Sequence, residues 1–220
     1  MVRFTGAMPS DPQQTYQCIF STLRACRIRG HVVSQFEYVA VLISIIVGLA
    51  LTQILRGVGR MVTTKDGPRP YWVHLVWTLY VFVLIGMFWW WEFRLGTVEW
   101  SLGLYIVVII YATLLFFVSL VIQPSDTREI TNYKDYFFSN RRWIFGLLIT
   151  IWLWDFVDTY SKGADHFASL TTEYLVYNAS QIVACAIGIK TANERYHEIF
   201  SVVFIVYFVS WMYRTFFVIG

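Results

Sequence analysis

The feature that most constrains this chain is a series of six long apolar runs separated by short polar stretches. The runs lie at about residues 38–55, 71–91, 102–122, 143–160, 174–189 and 199–218. A helix needs about 20 apolar residues to cross the hydrocarbon core of a bilayer. Strands of a membrane barrel would instead alternate apolar and polar residues over about 10 positions. The sequence therefore predicts an all-α, polytopic membrane helix bundle with six transmembrane helices.

The composition agrees with this interpretation and leaves little of the chain for other domains. Of the 220 residues, 57% are hydrophobic and 14% are charged, whereas an average soluble domain has roughly 25% charged residues. Six spans use about 120 residues, so we expect no soluble catalytic or nucleotide-binding module. The net charge is only +3, and we expect no nucleic acid as a partner. The lipid bilayer is the partner that the composition predicts.

The first 36 residues form a polar and basic leader, without an apolar run long enough for a secretion signal. We expect this leader to be disordered or to lie outside the mature fold, and residues 37–220 to form the six-helix domain. A translation start near Val33 is an alternative that the amino-acid sequence leaves open.

The distribution of basic residues predicts how the helices are oriented. The loops that follow helices 1, 3 and 5 carry ten Lys and Arg residues, whereas the loops after helices 2 and 4 and the last helix together carry three. Basic residues in short loops stay on the cytoplasmic side, so the first set is expected to face the cytoplasm. The arginines of the leader count against this orientation. The expected location is a plasma membrane or a bacterial inner membrane.

Polar residues near the outer ends of the helices are the strongest functional signal. An ionisable side chain in hydrocarbon costs roughly 2.5–3.5 kcal/mol unless it has a partner or a wet cavity. Asp155 and Asp158 are three residues apart in helix 4 and so share a face, and Arg214 of helix 6 is expected at a similar depth. The candidate binding residues of this outer cluster are Asp155, Asp158, Asn178, Gln181, Arg214 and Glu92.

Two interpretations of the outer cluster remain open. In the first, Arg214 forms an ion pair with Asp155 or Asp158 that joins helices 4 and 6, and the amides of helix 5 satisfy the remaining hydrogen bonds. In the second, the same side chains line a site for an ion, a proton or a small polar solute.

A second group of polar residues lies near the predicted cytoplasmic boundary. It consists of Gln53, Arg56, His74 and His197. Two histidines at one depth are compatible with a proton relay or with axial haem ligands. Both lie within a few residues of the boundary, where ordinary hydrogen bonds are the default, so we predict no haem and no other cofactor. The three cysteines have no metal-ligand spacing, and no metal site is predicted.

Small residues recur every four positions in helices 1 and 5. They are Ala40, Ser44, Gly48 and Thr52 in helix 1, and Ser180, Ala184 and Gly188 in helix 5. Small side chains at this spacing let membrane helices approach closely. The pattern predicts that helices 1 and 5 are central and that these residues pack against neighbouring helices.

The functional hypothesis that follows is a small permease or channel for cations, protons or a small polar solute, with a polar cavity in the outer third of the membrane. The alternative is a non-transporting scaffold or sensor subunit that binds a partner through its basic cytoplasmic loops. Either protein is expected to form a homo-oligomer or to associate with a partner membrane protein. The common nucleotide-binding and hydrolase motifs do not occur in the sequence, which makes an enzyme the less favoured class.

Overall fold

The computed structural model describes residues 35–65, 67–96, 98–126, 130–163 and 172–214. Within these residues it has six α-helices. The helices are α1 (Gln35–Thr63), α2 (Trp72–Trp91), α3 (Leu102–Ile122), α4 (Tyr133–Ser161), α5 (Thr172–Lys190) and α6 (Glu194–Tyr213). A short 3-10 helix, Glu92–Gly96, follows α2. The described residues form no β-strand, and the predicted all-α fold is confirmed.

Five of the helices, α1 to α4 and α6, are long and apolar enough to cross a membrane. This agrees with the polytopic membrane bundle that the sequence predicts. The remaining helix, α5, has 19 residues and carries the polar residues Asn178 and Gln181 in its middle. That α5 crosses the membrane as a sixth span stays a prediction.

The first helix extends beyond its apolar run at both ends. It begins at Gln35, two residues inside the predicted leader, and continues to Thr63. Helical hydrogen bonding does not stop where the hydrocarbon ends, so polar residues at the boundary remain helical. Residues 1–34, the rest of the predicted leader, lie outside the described part of the chain.

The fourth helix begins ten residues before its apolar run, at Tyr133. The reason is an N-terminal cap, because the side chain of Asn132 accepts a hydrogen bond of 2.7 Å from the backbone N–H of Asp135. Such a cap satisfies one of the backbone N–H groups that a helix leaves unpaired at its start. The cap, rather than hydropathy, determines where α4 starts.

The centre of the bundle is occupied by α2, which packs against α1, α3, α4 and α6. Trp77 of α2 is fully buried. Its ring lies 4.6 to 5.9 Å, between centroids, from the rings of Tyr80, Phe145, Phe200 and Phe204. Aromatic rings at these separations attract one another. We call these five residues the aromatic layer; it fills the space between α2, α4 and α6.

The small-residue stripe of α1 lies on the outer surface of the bundle. Ser44, Gly48 and Thr52 are exposed and Ala40 is half-buried, and a side-chain carbon built at Gly48 has no neighbouring atom within 4 Å. The buried face of α1 is formed by Val39, Ile43, Val47, Ala50 and Ile54. Within the chain, the exposed members of the stripe do not make the contacts that their spacing predicts. The physical reason is that α1 lies at one side of the bundle, against α2 and α3, and presents larger apolar side chains to them.

The stripe of α5 is only partly in contact with other helices. Gly188 is buried, and a side-chain carbon there would lie 3.2 Å from the ring of Phe145 in α4. The carbonyl of Ala184 accepts a hydrogen bond of 2.6 Å from the hydroxyl of Tyr196 in α6. Ser180 is exposed and donates to a carbonyl of its own helix. The residues of this stripe nearest its inner end are therefore the ones that touch neighbouring helices.

A different glycine brings α1 close to α3. A side-chain carbon built at Gly57 would overlap the side chain of Gln123, which is fully buried just beyond the end of α3. Gln123 donates a hydrogen bond of 3.2 Å from Nε2 to Oγ1 of Thr78 in α2. Gln123 therefore joins three helices, and its position requires the absence of a side chain at residue 57.

We expect Gly57→Ala to lower the free energy of unfolding by about 1–3 kcal/mol, the usual range for over-packing, because Gln123 has to move. Gly48→Ala is the matched control in the same helix, where space is open. It should be neutral or stabilising, since Ala is more favourable than Gly in a helix by about 1 kcal/mol. Thermal unfolding in detergent measures both variants. Equal stability of the two would contradict the close approach at Gly57.

Candidate functional site

A buried network of charged and hydroxyl side chains lies at one end of the bundle. We call this end outer, because it is opposite the loops predicted to be cytoplasmic. The outer network consists of Glu92, Tyr111, Asp155, Asp158, Lys162 and Tyr174. Its members come from α3, α4 and α5, from the 3-10 helix that follows α2, and from the residue that follows α4.

Lys162 connects the end of α4 to the end of α2. Its Nζ lies 2.8 Å from both Oε1 and Oε2 of Glu92 and 2.5 Å from Oδ2 of Asp158. The side chains of Lys162, Glu92 and Asp158 are 7%, 2% and 2% exposed. Two carboxyl groups from different elements therefore share one ammonium group that is almost completely shielded from solvent.

The protonation of Glu92 is shifted by this environment. Burial and the negative charge of Asp158 raise the pKa of Glu92 to about 7, although the charge of Lys162 acts in the opposite direction. Burial acts to lower the pKa of Lys162, but the charges of Glu92 and Asp158 outweigh it and raise that pKa. Lys162 consequently remains charged at neutral pH, whereas Glu92 exchanges its proton near neutrality.

Asp155 lies deeper in α4 and is held by two tyrosines. Tyr111 of α3 donates a hydrogen bond of 3.1 Å to Oδ1, and Tyr174 of α5 donates to Oδ2. The hydroxyl of Tyr174 also lies 3.4 Å from that of Thr159. Since each tyrosine comes from a different helix, Asp155 links α3, α4 and α5. Hydrogen bonds to a charged acceptor are stronger than those between neutral groups, so this contact fixes the orientation of the carboxylate.

The ion pair of Arg214 joins α6 to α5. Nε and Nη2 of Arg214 lie 3.1 and 2.5 Å from Oε1 of Glu173, and Nη1 donates to the hydroxyl of Ser210. The paired side chains are 38% and 40% exposed. The first interpretation of the outer cluster predicted an ion pair between Arg214 and Asp155 or Asp158. In the structure, Asp158 instead pairs with Lys162, and Arg214 pairs with Glu173.

The two amides of α5 point into the bundle. Asn178 and Gln181 are 2% and 3% exposed. Asn178 donates a hydrogen bond of 3.3 Å to the carbonyl of Tyr174 in its own helix. Asn178 therefore supports the turn of α5 from which Tyr174 reaches Asp155.

Three members of the outer network, Lys162, Tyr111 and Tyr174, are absent from the residues predicted from the sequence. The available signal for Lys162 is its spacing of four residues from Asp158, which places both on one face of a helix. For Tyr111 the signal is a hydroxyl in the middle of an apolar run. Tyr174 begins a run, where an interfacial ring is the ordinary interpretation.

At the inner end of the bundle, polar side chains cap the C-terminus of α3. Carbonyl oxygens there accept hydrogen bonds from Tyr136 (to Val121, 2.8 Å), His74 (to Ile122, 2.7 Å) and Arg60 (to Pro124, 3.2 Å, and Ser125, 2.8 Å). The last carbonyls of a helix have no partner within it, and a positive charge is favourable at this end. The cap accounts for the burial of several polar side chains at this end.

Both predicted inner histidines are buried and bind backbone carbonyls. Nε2 of His74 contacts the carbonyl of Ile122, and Nε2 of His197 contacts that of Thr191 at 3.1 Å. Because a carbonyl only accepts, Nε2 carries a hydrogen in both rings, and in the neutral imidazole Nδ1 then keeps its lone pair. In the described ranges, no group of three or more His, Cys, Asp or Glu side chains is arranged to hold a metal ion.

The other two inner residues predicted from the sequence lie on α1. Gln53 is half-buried and Arg56 is exposed. The residue of α1 that binds the end of α3 is Arg60, one turn further along the helix.

The outer network as a whole combines an excess of acid with shielding from solvent. Glu92, Asp155 and Asp158 contribute three carboxyl groups and Lys162 one ammonium group, so acidic groups outnumber the ammonium group among these residues. A network of this kind is suited to taking up a proton. The chain matches no protein-family model, no curated protein and no solved structure.

Proposed function

We propose that the protein is a small membrane permease or channel that binds protons or small cations in the outer network. The observation that carries this proposal is the burial of three carboxyl groups, those of Glu92, Asp155 and Asp158, in one network with the ammonium group of Lys162 and the hydroxyls of Tyr111 and Tyr174. Carboxylates that are buried close together repel one another, and this repulsion is costly in a medium of low dielectric constant. Uptake of a proton or a small cation removes part of this cost.

The network also extends inward from the end of α4. Asp155 precedes Lys162 by seven residues, or roughly 10 Å along a helix. Chains of Asp, Glu and His side chains within membrane domains are typical of proton relays in pumps and transporters. Glu92, whose pKa is about 7, is suited to exchange protons at the outer end, and Asp155 to accept them further in.

The aromatic layer favours a permease over an open channel. Trp77 and Tyr80 of α2 lie fifteen and twelve residues before Glu92, which follows the helix. They therefore lie on the inner side of the outer network. Both are at most 1% exposed and close the space between α2, α4 and α6. A solute bound in the outer network would need a rearrangement of these rings to continue, as in alternating access.

Flux measurements in proteoliposomes test the proposal. We expect Asp155→Asn and Glu92→Gln to reduce proton or cation flux to the level of empty liposomes, because each removes one carboxylate from the network. Glu173→Gln is the matched control, since Glu173 is half-exposed and pairs with Arg214, and flux should persist. A pH-sensitive dye reports protons, and imposed Na⁺ and K⁺ gradients separate the cations. Wild-type liposomes that carry none of these ions faster than empty liposomes would refute the proposal.

A second candidate function, a scaffold or sensor subunit that binds an acidic partner, rests on the basic residues of the inner end. Arg56, Lys65, Arg69, Arg142, Lys190 and Arg195 are all exposed. If this second function is correct, charge reversal at Arg142 would abolish capture of the partner from solubilised membranes. Ion flux would then be at the background level in both the wild type and the variant.

A further inference from the structure

Buried polar atoms without a hydrogen-bond partner among the described residues occur together at the inner end of α2 and α4. Three of them are Nδ1 of His74, the hydroxyl of Tyr133 and Nε of Arg60. His74 is 0% exposed and Tyr133 is 1% exposed. Native proteins rarely leave buried polar atoms unsatisfied, so a concentration of such atoms requires an explanation.

Two of the three side chains bind the capped end of α3, and the third packs against one of them. The rings of His74 and Tyr133 have centroids 5.0 Å apart. His74 binds the carbonyl of Ile122 and Arg60 binds that of Pro124, two residues further on. The backbone N–H of Tyr133 donates a hydrogen bond of 3.0 Å to the carbonyl of Arg69. This bond holds the start of α4 against the segment that leads into α2.

The chemistry of the three atoms is complementary. Nε2 of His74 donates to a carbonyl, so Nδ1 of the neutral imidazole is an acceptor. Nε of Arg60 is a donor, and the hydroxyl of Tyr133 both donates and accepts. A buried water molecule typically makes about three hydrogen bonds to groups that are otherwise unsatisfied, and one donor, one acceptor and one hydroxyl form such a set.

We infer that the inner end contains a binding site for water, formed by Arg60, His74 and Tyr133. Arg60 is half-buried, and its guanidinium reaches from the surface to the end of α3, so water enters the site beside it. The site lies on the side of the aromatic layer opposite to the outer network. It gives the buried imidazole of His74 a hydrogen-bonded connection to the inner aqueous phase, whether or not the protein transports ions.

Hydroxyl-radical footprinting of the full-length protein in lipid nanodiscs tests this inference. Radicals formed from bound water label the side chains beside it, and mass spectrometry then gives a labelling rate for each residue relative to the denatured chain. Tyr133 and Tyr80 are a matched pair, since both are tyrosines with 1% exposure. We expect Tyr133 to be labelled several-fold faster than Tyr80, and use of ¹⁸O-labelled water should place the heavy isotope on Tyr133.

A variant provides the second measurement. His74→Phe removes the acceptor but keeps an aromatic ring, and should bring the labelling rate of Tyr133 down toward that of Tyr80. The wild-type comparison remains decisive if this variant does not fold. Equal protection of Tyr133 and Tyr80 in the wild type would overturn the inference. Footprinting and ion flux are measured separately, so loss of the transport proposal would leave this result unchanged.

Discussion

Replacement of Lys162 by methionine is expected to lower the free energy of unfolding by about 3–5 kcal/mol, the usual cost of removing one partner from a buried ion pair. Methionine occupies a similar volume, so the main change is the loss of the ammonium group. Glu92 and Asp158, each 2% exposed, would then lose the ammonium group that they share. Denaturant or thermal unfolding in detergent measures the change.

An exposed pair of the same chemistry is the matched control. Nζ of Lys134 lies 2.7 Å from Oε2 of Glu194, with side chains 45% and 43% exposed. Exposed ion pairs contribute only about 0–1 kcal/mol, so Lys134→Met should have little effect. The two lysines differ chiefly in burial and in the number of carboxylates they contact. Similar destabilisation by both substitutions would contradict the account of Lys162 as the counter-charge of the network.

The pH dependence of stability supplies an independent readout of the same network. The pKa of Glu92 is raised from 4.5 to about 7, so between these values the folded state binds this proton more tightly than the unfolded state does. The contribution of Glu92 is therefore present below pH 4.5 and is lost as the pH rises through 7. Glu92→Gln should remove this part of the pH dependence, and the cost of Lys162→Met should shrink in acid.

The helices themselves could be predicted from the sequence because a membrane leaves the backbone few choices. In hydrocarbon every backbone N–H and C=O must be paired within the segment, so long apolar runs become helices. The spacing of Asp155 and Asp158 along one face of α4 follows from the helical geometry in the same way. Helix starts determined by a cap, as at Asn132, depend on local hydrogen bonds and are not visible in hydropathy.

The partners of the charged residues could not be predicted by the same reasoning. Arg214 and Lys162 both lie near the outer end, and either has the charge to pair with Asp158. The choice depends on how α4 and α6 are rotated about their axes and on Glu173, which engages Arg214. Similarly, Gly48 is as compatible with lipid as with a neighbouring helix. The spacing of residues in the sequence predicts which side chains share one face of a helix. It does not predict whether that face contacts lipid or another helix.

The second large effect expected on stability concerns the aromatic layer. Trp77→Ala is expected to lower the free energy of unfolding by about 3 kcal/mol, the lower end of the range for truncating a buried Trp. The lower end applies because an unfolded membrane helix already has its side chains in lipid, so mainly the packing contacts are lost. Those contacts are with the four other rings of the layer, and a cavity would remain in their centre.

Trp143→Ala is the control that separates packing from the general loss of a tryptophan. Trp143 lies in α4 and is 69% exposed, so its removal leaves no internal cavity, and unfolding in detergent should be almost unchanged. If the layer also blocks passage from the outer network, Trp77→Ala liposomes should leak protons faster than Trp143→Ala liposomes at equal protein content. Destabilisation without an increased leak would keep the packing role of Trp77 and exclude its role as a barrier.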